Sequence, residues 1–420
     1  MSDAAAIPAP ARLRRQPEFL KLWTGQTISV FGDAVTMIAL PLVAVLTLDA
    51  SAAQMGFLTA AGLAPHLFLS LVAGAWIDRR AQRRRILVFS DLGRAGLLAS
   101  LPLAWALDAL TLPHLFAVAF LVGVLTVFFD LSYSSLFVLV VAQRDIIEAN
   151  SKLSLSRSVS WMGGPPLAGG LVQALGAPVA LAADAVSFVA SAAFVSRIRV
   201  QEQPLPVDRT PLGRRLAEGF RFIFRDALLR SSLGCVATIN LFNFAFFAIF
   251  VLYATEELHV APGLLGAVLG AAAVGSGLGA VAAPWVERRI GIGPTFALGS
   301  VLFPAPLLLV PLAGGPKWLV LACLFASEFL SGVGVMMLDV PAGSINVVLT
   351  PQRLRARADG VRRFVNYGVR PIGALLGGLL GSAIGLRPTL WIATAGALLG
   401  VVWLVGSPLL RLRELPAQAA

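Results

Sequence analysis

Long apolar runs follow one another along this chain almost without pause, and charged residues are confined largely to the short gaps between them. A membrane helix needs about 20 mainly apolar residues, each adding 1.5 Å of rise. On that measure the pattern predicts spans near residues 19–48, 53–77, 86–107, 112–141, 158–176 and 178–196. A second set follows near 231–254, 262–285, 294–313, 317–349, 364–385 and 388–410. Several are longer than one crossing needs, which predicts tilt or extension beyond the apolar slab. The expected organisation is a tail (1–18), a six-helix half (19–196), a linker (197–230), a second six-helix half (231–410) and a closing tail (411–420). Within the linker, Leu212, Leu216, Phe220, Ile223 and Ala227 recur at helical spacing, opposite Arg214, Glu218, Arg221 and Arg225. That amphipathic helix is expected to lie on the membrane surface.

The basic residues test the count of crossings. With the N-terminus inside, 29 of the 33 Lys and Arg fall on the inner side, two (Lys317, Arg387) outside and two (Arg94, Arg370) within spans. The positive-inside rule asks for this asymmetry, and a miscounted span would scatter the charges over both sides. Twelve spans with both termini cytoplasmic in a cell membrane is therefore the expected topology. The same placement accounts for the net charge of +11 without a nucleic-acid partner.

Composition closes off the other classes. Hydrophobic residues make up 57% and charged residues 13% of the 420 positions, with mean hydropathy +0.83, against about 45–50% and 25% in soluble proteins. Cys235 and Cys323 lie inside apolar runs, so no disulfide framework or CxxC metal site is expected. His66, His114 and His259 are scattered, no GxxxxGK[ST] loop is present, and no nucleophile–base pair is suggested by spacing. No catalysis, cofactor or metal is expected.

The two halves are one unit written twice. Gly74-Ala-Trp76-Ile-Asp78-Arg79-Arg80 recurs as Ala283-Pro-Trp285-Val-Glu287-Arg288-Arg289, an offset of 209. At the same offset Gly123 meets Gly332, Asp130 meets Asp339 and Ser135 meets Ser344. Arg157 and Pro165 match Arg363 and Pro371 at 206, and Asp33 matches Asn243 at 210. Each match falls on the same side of the membrane in the same orientation, so the repeat is parallel.

These residues resemble the major facilitator superfamily. Gly74-x3-Asp78-Arg79-x3-Arg83-Arg84 looks like its loop signature, with Ala81 and Gln82 replacing the usual Gly and basic residue. Trp23-x-Gly25-Gln26, Phe31-Gly32-Asp33, Asp91-Leu-Gly93-Arg94, Glu148-Ala-Asn150-Ser and Asp184-Ala-x-Ser187-Phe188 look like the bacterial branch of enterobactin and macrolide exporters. The resemblance implies an all-α integral membrane fold of two parallel six-helix halves, with the first, fourth, seventh and tenth spans lining a central cavity. It also implies conformational roles for Asp78 and Arg79 at the inner ends of the spans. Span four lacks the arginine that many proton-coupled relatives carry.

An ionisable group inside a membrane costs about 2.5–3.5 kcal/mol on insertion scales and usually faces a cavity or a partner. Asp33 lies about 21 Å along span one and Glu328 about 16 Å along span ten, both near the bilayer middle. These carboxylates are the leading candidates for substrate or proton binding, and carboxyls so placed suit reversible protonation. Gln26, Ser29, Asp33 and Thr36 form one stripe along span one, Asn243 with several phenylalanines stands on span seven, and Gln26 and Asn243 join the two acids as substrate- or proton-binding candidates. Asp130 and Asp339, near the inner ends, read as gate or helix-end residues. Arg94 is three residues from Asp91 and reads as a local pair, whereas Arg370 has no local acid and either neutralises Asp339 across helices, the favoured reading, or holds an anionic substrate. Gly373, Gly377, Gly381 and Gly385 form a stripe suited to close helix packing.

The expected function is a secondary transporter that exports a small amphipathic compound by alternating access, in exchange for protons. Its expected partners are the substrate, protons and the bilayer, and a monomer is expected. An importer or lipid flippase of the same fold, and a non-transporting sensor or scaffold, are the alternatives. Two midplane carboxylates argue against the last.

Overall fold

A computed structural model describes residues 13, 16–78, 80, 82–202 and 212–414, and their side chains except those of residues 70–72, 75, 78, 212 and 215. Arg79 and the Asp78 side chain therefore lie outside the described residues. The first half comprises α1 (Pro17–Leu48), α2 (Ala52–Asp78), α3 (Arg83–Ala106), α4 (Leu112–Val140), α5 (Ile146–Leu175) and α6 (Ala177–Ser196). The linker helix α7 (Leu212–Arg225) precedes α8 (Ala227–Glu256) and α9 (Pro262–Ile290). The ninth span is broken: α10 (Ile292–Leu302) gives way to a tighter turn and the short α11 (Leu309–Leu312), because Pro304, Pro306 and Pro311 remove the helical donors there. Then come α12 (Lys317–Leu349), α13 (Gln352–Ile384) and α14 (Leu386–Leu398), which runs on in 3-10 geometry to Leu404.

Among the described residues, eleven helical segments are long and apolar enough to span a membrane. α5 is equally long, at 30 residues, but its first turns carry Glu148, Lys152 and Arg157 and dilute its apolar character. It begins 12 residues before the expected start at 158, and α13 begins 12 before the expected 364. The basic stretch 353–363 is thus the first three turns of a helix, not a loop. Side chains such as Phe68, Phe89 and Val281 are 68–79% exposed on the outer surface. Water would not tolerate such apolar coverage, and lipid does.

The repeat is realised in contacts. Arg80 lies over the Trp76 ring at 4.3 Å, and Arg289 lies over Trp285 at 4.4 Å, 209 residues later. Gly56 of α2 meets Gly378 of α13, where an added Cβ would come 2.7 Å from the facing Cα. The equivalent pair is Gly266 of α9 with Gly169 of α5, at 3.0 Å. Small residues at both crossings let backbones touch, the packing that membrane helices favour. Gly373 and Gly377 likewise seat α13 on the α8 backbone, while Gly385, at φ +92°, breaks the chain between α13 and α14.

Three apolar clusters define the conformation. One joins both halves at the end away from the linker, including Met55, Leu101, Leu115, Val172, Phe250 and Leu265. At the linker end the core splits into one cluster around the first half (Phe19, Leu22, Leu136, Leu153) and one that joins the second half (Phe296, Ile345, Val361) to the linker helix through Ile223. The halves are sealed together at one end and part at the other.

The linker helix departs from the sequence expectation. Its apolar face is turned onto the second half instead of the membrane surface: Ile223 is 1% exposed, and Phe220 meets Phe364 edge-on at 6.4 Å. Gly219 lets α7 approach the Arg357 carbonyl, where a Cβ would sit 2.6 Å away, and Glu218 pairs with Arg357. An apolar stripe is satisfied equally by lipid or by protein, and here the extra turns of α13 supply the protein surface.

Candidate functional site in the central cavity

Arg94, 1% exposed on α3, organises the first half. Its Nη2 donates to Asp91 Oδ1 at 2.5 Å, the local pair expected from the sequence. The guanidinium lies 4.0 Å from the Phe188 ring centre and 4.4 Å from that of Phe129. Held by both rings, its other edge reaches Asp33 Oδ1 at 3.9 Å, the outer limit of an ion pair. A fully buried Asp91 takes the strong bond, so Asp33 receives only a weak share of the same charge.

Asp33 differs from its neighbours in exposure. Protein surrounds it, and the charges acting on it include Arg94, Asp184, Asp130 and Asp91. Its side chain is nevertheless 48% accessible, against 0% for Asp91. An enclosed and accessible carboxyl lines an internal space. The rest of the α1 stripe is turned into the helix packing: Gln26 is 8% and Ser29 0% exposed. Thr36 donates to the Asp184 carboxylate, which also accepts from Ser187 Oγ at 2.8 Å. Gly32 makes room for this contact between α1 and α6, because a Cβ there would collide with the Asp184 and Ser187 side chains.

In the second half, Glu328 on α12 is half-buried and has no hydrogen bond or ion pair among the described residues. Asn243, the repeat mate of Asp33, is half-buried on α8, with its side-chain amide likewise uncommitted. Phe246 and Phe250 are 2% and 0% exposed, because they belong to the seal. Phe244 instead faces Arg370, which lies 5.0 Å from its ring centre and 4.6 Å from that of Tyr367. Tyr367 in turn stacks on His66 of the first half, centroids 5.5 Å apart and planes within 8°. Arg370 and Asp339 line one cavity of about 410 Å³ with Asn346, Arg362, Arg363 and Asn366, without closing to ion-pair distance. Arg370 stays within electrostatic reach of Asp339 on α12, while the aromatic sandwich holds its guanidinium. Asp130 is exposed on α4, within the electrostatic reach of Arg157 and, from the other half, Arg363.

The sequence reading missed the Arg94–Asp33 contact and the Asp184 anchor. A signal for the second was present, since Asp184 and Ser187 stand one turn apart in an otherwise apolar span. Chemically, the arrangement offers two partly exposed carboxyls from opposite halves, one beside a fixed cation and one with no hydrogen bond or ion pair among the described residues. Among the described residues no cluster of His, Cys, Asp and Glu could hold a metal.

Membrane-length helices in two repeat-related halves, sealed together at one end and apart at the other, define a transporter of the major facilitator type and not an enzyme. The chain belongs to the transmembrane secretion effector family, whose model matches residues 9–419. It is 29% identical to the multidrug efflux pump Tap of Mycolicibacterium fortuitum, over 96% of this chain and 98% of the relative. Tap of Mycobacterium tuberculosis (strain ATCC 25618 / H37Rv) is 28% identical over 89% of each chain. Among solved structures, a bacterial homologue of iron transporter ferroportin in an inward-facing state superposes with TM-score 0.71 and 19% identity, covering 94% of this chain and 99% of that one. An outward-facing structure of a bacterial ferroportin homologue gives 0.58, at 19% identity and 93% and 98% coverage. A point mutant of the nucleoside transporter NupG gives 0.68, at 15% identity, covering 92% and 99%.

Proposed function

We propose that this protein exports small amphipathic compounds across a bacterial cell membrane by alternating access, in exchange for protons, with both termini in the cytoplasm. The observation that carries the reading is Asp33: a carboxyl enclosed by protein yet 48% accessible, beside an arginine already committed to Asp91. A cation or hydrogen-bond donor entering from the linker end competes with the proton on Asp33 or Glu328, so loading expels protons. Asn243 supplies a neutral hydrogen-bonding group opposite, and Gln26 supports the same helix face from within the packing. The multidrug efflux relatives support export.

Switching would part the joint seal and bring the linker ends together, pivoting on the glycine crossings of α2 with α13 and α5 with α9. Asp78, Arg79, Asp130, Asp339 and Arg370 are the residues assigned to that step. Asp130 and Asp339 are repeat mates, and each has an arginine of the second half in electrostatic reach. The protein works as a monomer with substrate, protons and lipid as its partners.

The test uses everted vesicles and a panel of radiolabelled amphipathic drugs, with and without an imposed proton gradient. Asp33→Asn and Glu328→Gln should abolish uphill accumulation while preserving downhill exchange. Calorimetric titration in buffers of different ionisation enthalpy counts the protons released. If both variants release as many protons as the parent, the coupling assignment is wrong.

A further inference from the structure

A second charged cavity, of about 690 Å³, lies outside the space between the halves, where the linker helix meets the start of α13. Arg221, Arg225, Arg353 and Arg357 line it, with two acids, Glu218 and Asp226. Both acids are engaged. Glu218 pairs with Arg357 and, at 3.2 Å, with Arg214. Asp226 caps α8, accepting the backbone N–H groups of Leu228 and Leu229 at 2.8 and 3.0 Å. Arg221, Arg225 and Arg353 have no hydrogen bond or ion pair among the described residues. Three guanidiniums without an ion pair therefore converge on one concavity and outnumber its remaining carboxylate, Asp226.

Its level in the fold selects the anion. Asp226 opens α8, and Arg353 and Arg357 stand in the basic first turns of α13, so the cavity sits on the linker side of the apolar slab, where α8 enters it. Phe222 and Leu354 complete its wall. A charged concavity with apolar side chains in its wall suits a molecule that is anionic at its head and apolar below. Guanidinium groups present the forked donors that match phosphate oxygens, and basic pockets between spans at this depth hold anionic headgroups. We propose that this cavity binds the phosphate of an anionic phospholipid headgroup, and that the bound lipid pins the linker helix against α13. The inference is independent of the transport reading.

The full-length protein in zwitterionic phosphatidylcholine nanodiscs, titrated with phosphatidylglycerol and read by native mass spectrometry, tests it. The parent should retain phosphatidylglycerol. The triple variant Arg221→Gln, Arg225→Gln, Arg353→Gln should bind it about tenfold more weakly or worse. The triple lysine variant, which keeps the charge and loses the forked donors, should fall between the two, and Arg214→Gln, outside the cavity, should match the parent. Equal retention by the parent and the glutamine variant would overturn the proposal. So would displacement of the lipid by millimolar inorganic phosphate, which would reassign the cavity to the free ion. Should the glutamine variant fold poorly, partial retention by the lysine variant against loss in Arg225→Glu alone decides the same question.

Discussion

Removing Arg94 tests the electrostatic core of the first half. Arg94→Met keeps volume close to the Phe129 and Phe188 rings but deletes the cation, leaving a fully buried Asp91 carboxylate without its 2.5 Å partner. Breaking a buried ion pair from one side costs about 3–5 kcal/mol, because the remaining charge is stranded. Adding Asp91→Asn removes the stranded charge, and the double variant should recover at least half of the loss. Asp33→Asn should cost about 0–1 kcal/mol at most, because that carboxyl is 48% accessible and its Arg94 contact, at 3.9 Å, is screened by water. Thermal unfolding in detergent, followed by maleimide labelling of Cys235, reports all three. Cys235 is 0% exposed and reacts only on unfolding, provided Cys323 is first changed to serine. Unfolding of Arg94→Met together with the parent, or a double variant as unstable as the single, would refute the reasoning.

Gly378→Val should force α13 off α2, since its Cβ would sit 2.8 Å from the Gly56 Cα. Met55→Cys, at a position 1% exposed in the seal, should then label from the sealed side in that background and not in the parent. Asp226→Ala removes the cap of α8 and should lower stability by about 1 kcal/mol in the same unfolding assay. Cysteines at Gln82 and Gln352, both exposed at the linker end, should resist an impermeant reagent in intact cells and react in everted vesicles. Labelling of either in intact cells would reverse the proposed orientation.

Much of the fold was legible in one dimension. A segment crosses lipid only as a helix of sufficient apolar length. Spans and gaps are therefore written directly as apolar and polar runs, whereas the break in the ninth span, read as one segment over 294–313, came only with the structure. The 209-residue repeat was legible for the same reason, down to the Trp76–Arg80 and Trp285–Arg289 pairs. So was the depth of Asp33 and Glu328, which needs only counting along a helix.

Azimuth was not legible. In a membrane protein the lipid-facing and protein-facing sides of a helix are both apolar, so periodicity gives no direction to the inside. Only packing decided that Gln26 and Ser29 turn into the helix contacts while Asp33 reaches open space. Packing also set Arg370 between Phe244 and Tyr367, and turned the linker helix onto α13. The partners that matter most are far apart in the chain: Asp33 meets Arg94 from α3, and Thr36 of α1 meets Asp184 of α6. Composition and spacing determined that this chain is a two-fold repeated bundle of membrane helices with acids at its middle. Which acid is tied to a cation and which stays open to water depended on distances that exist only once the helices are packed.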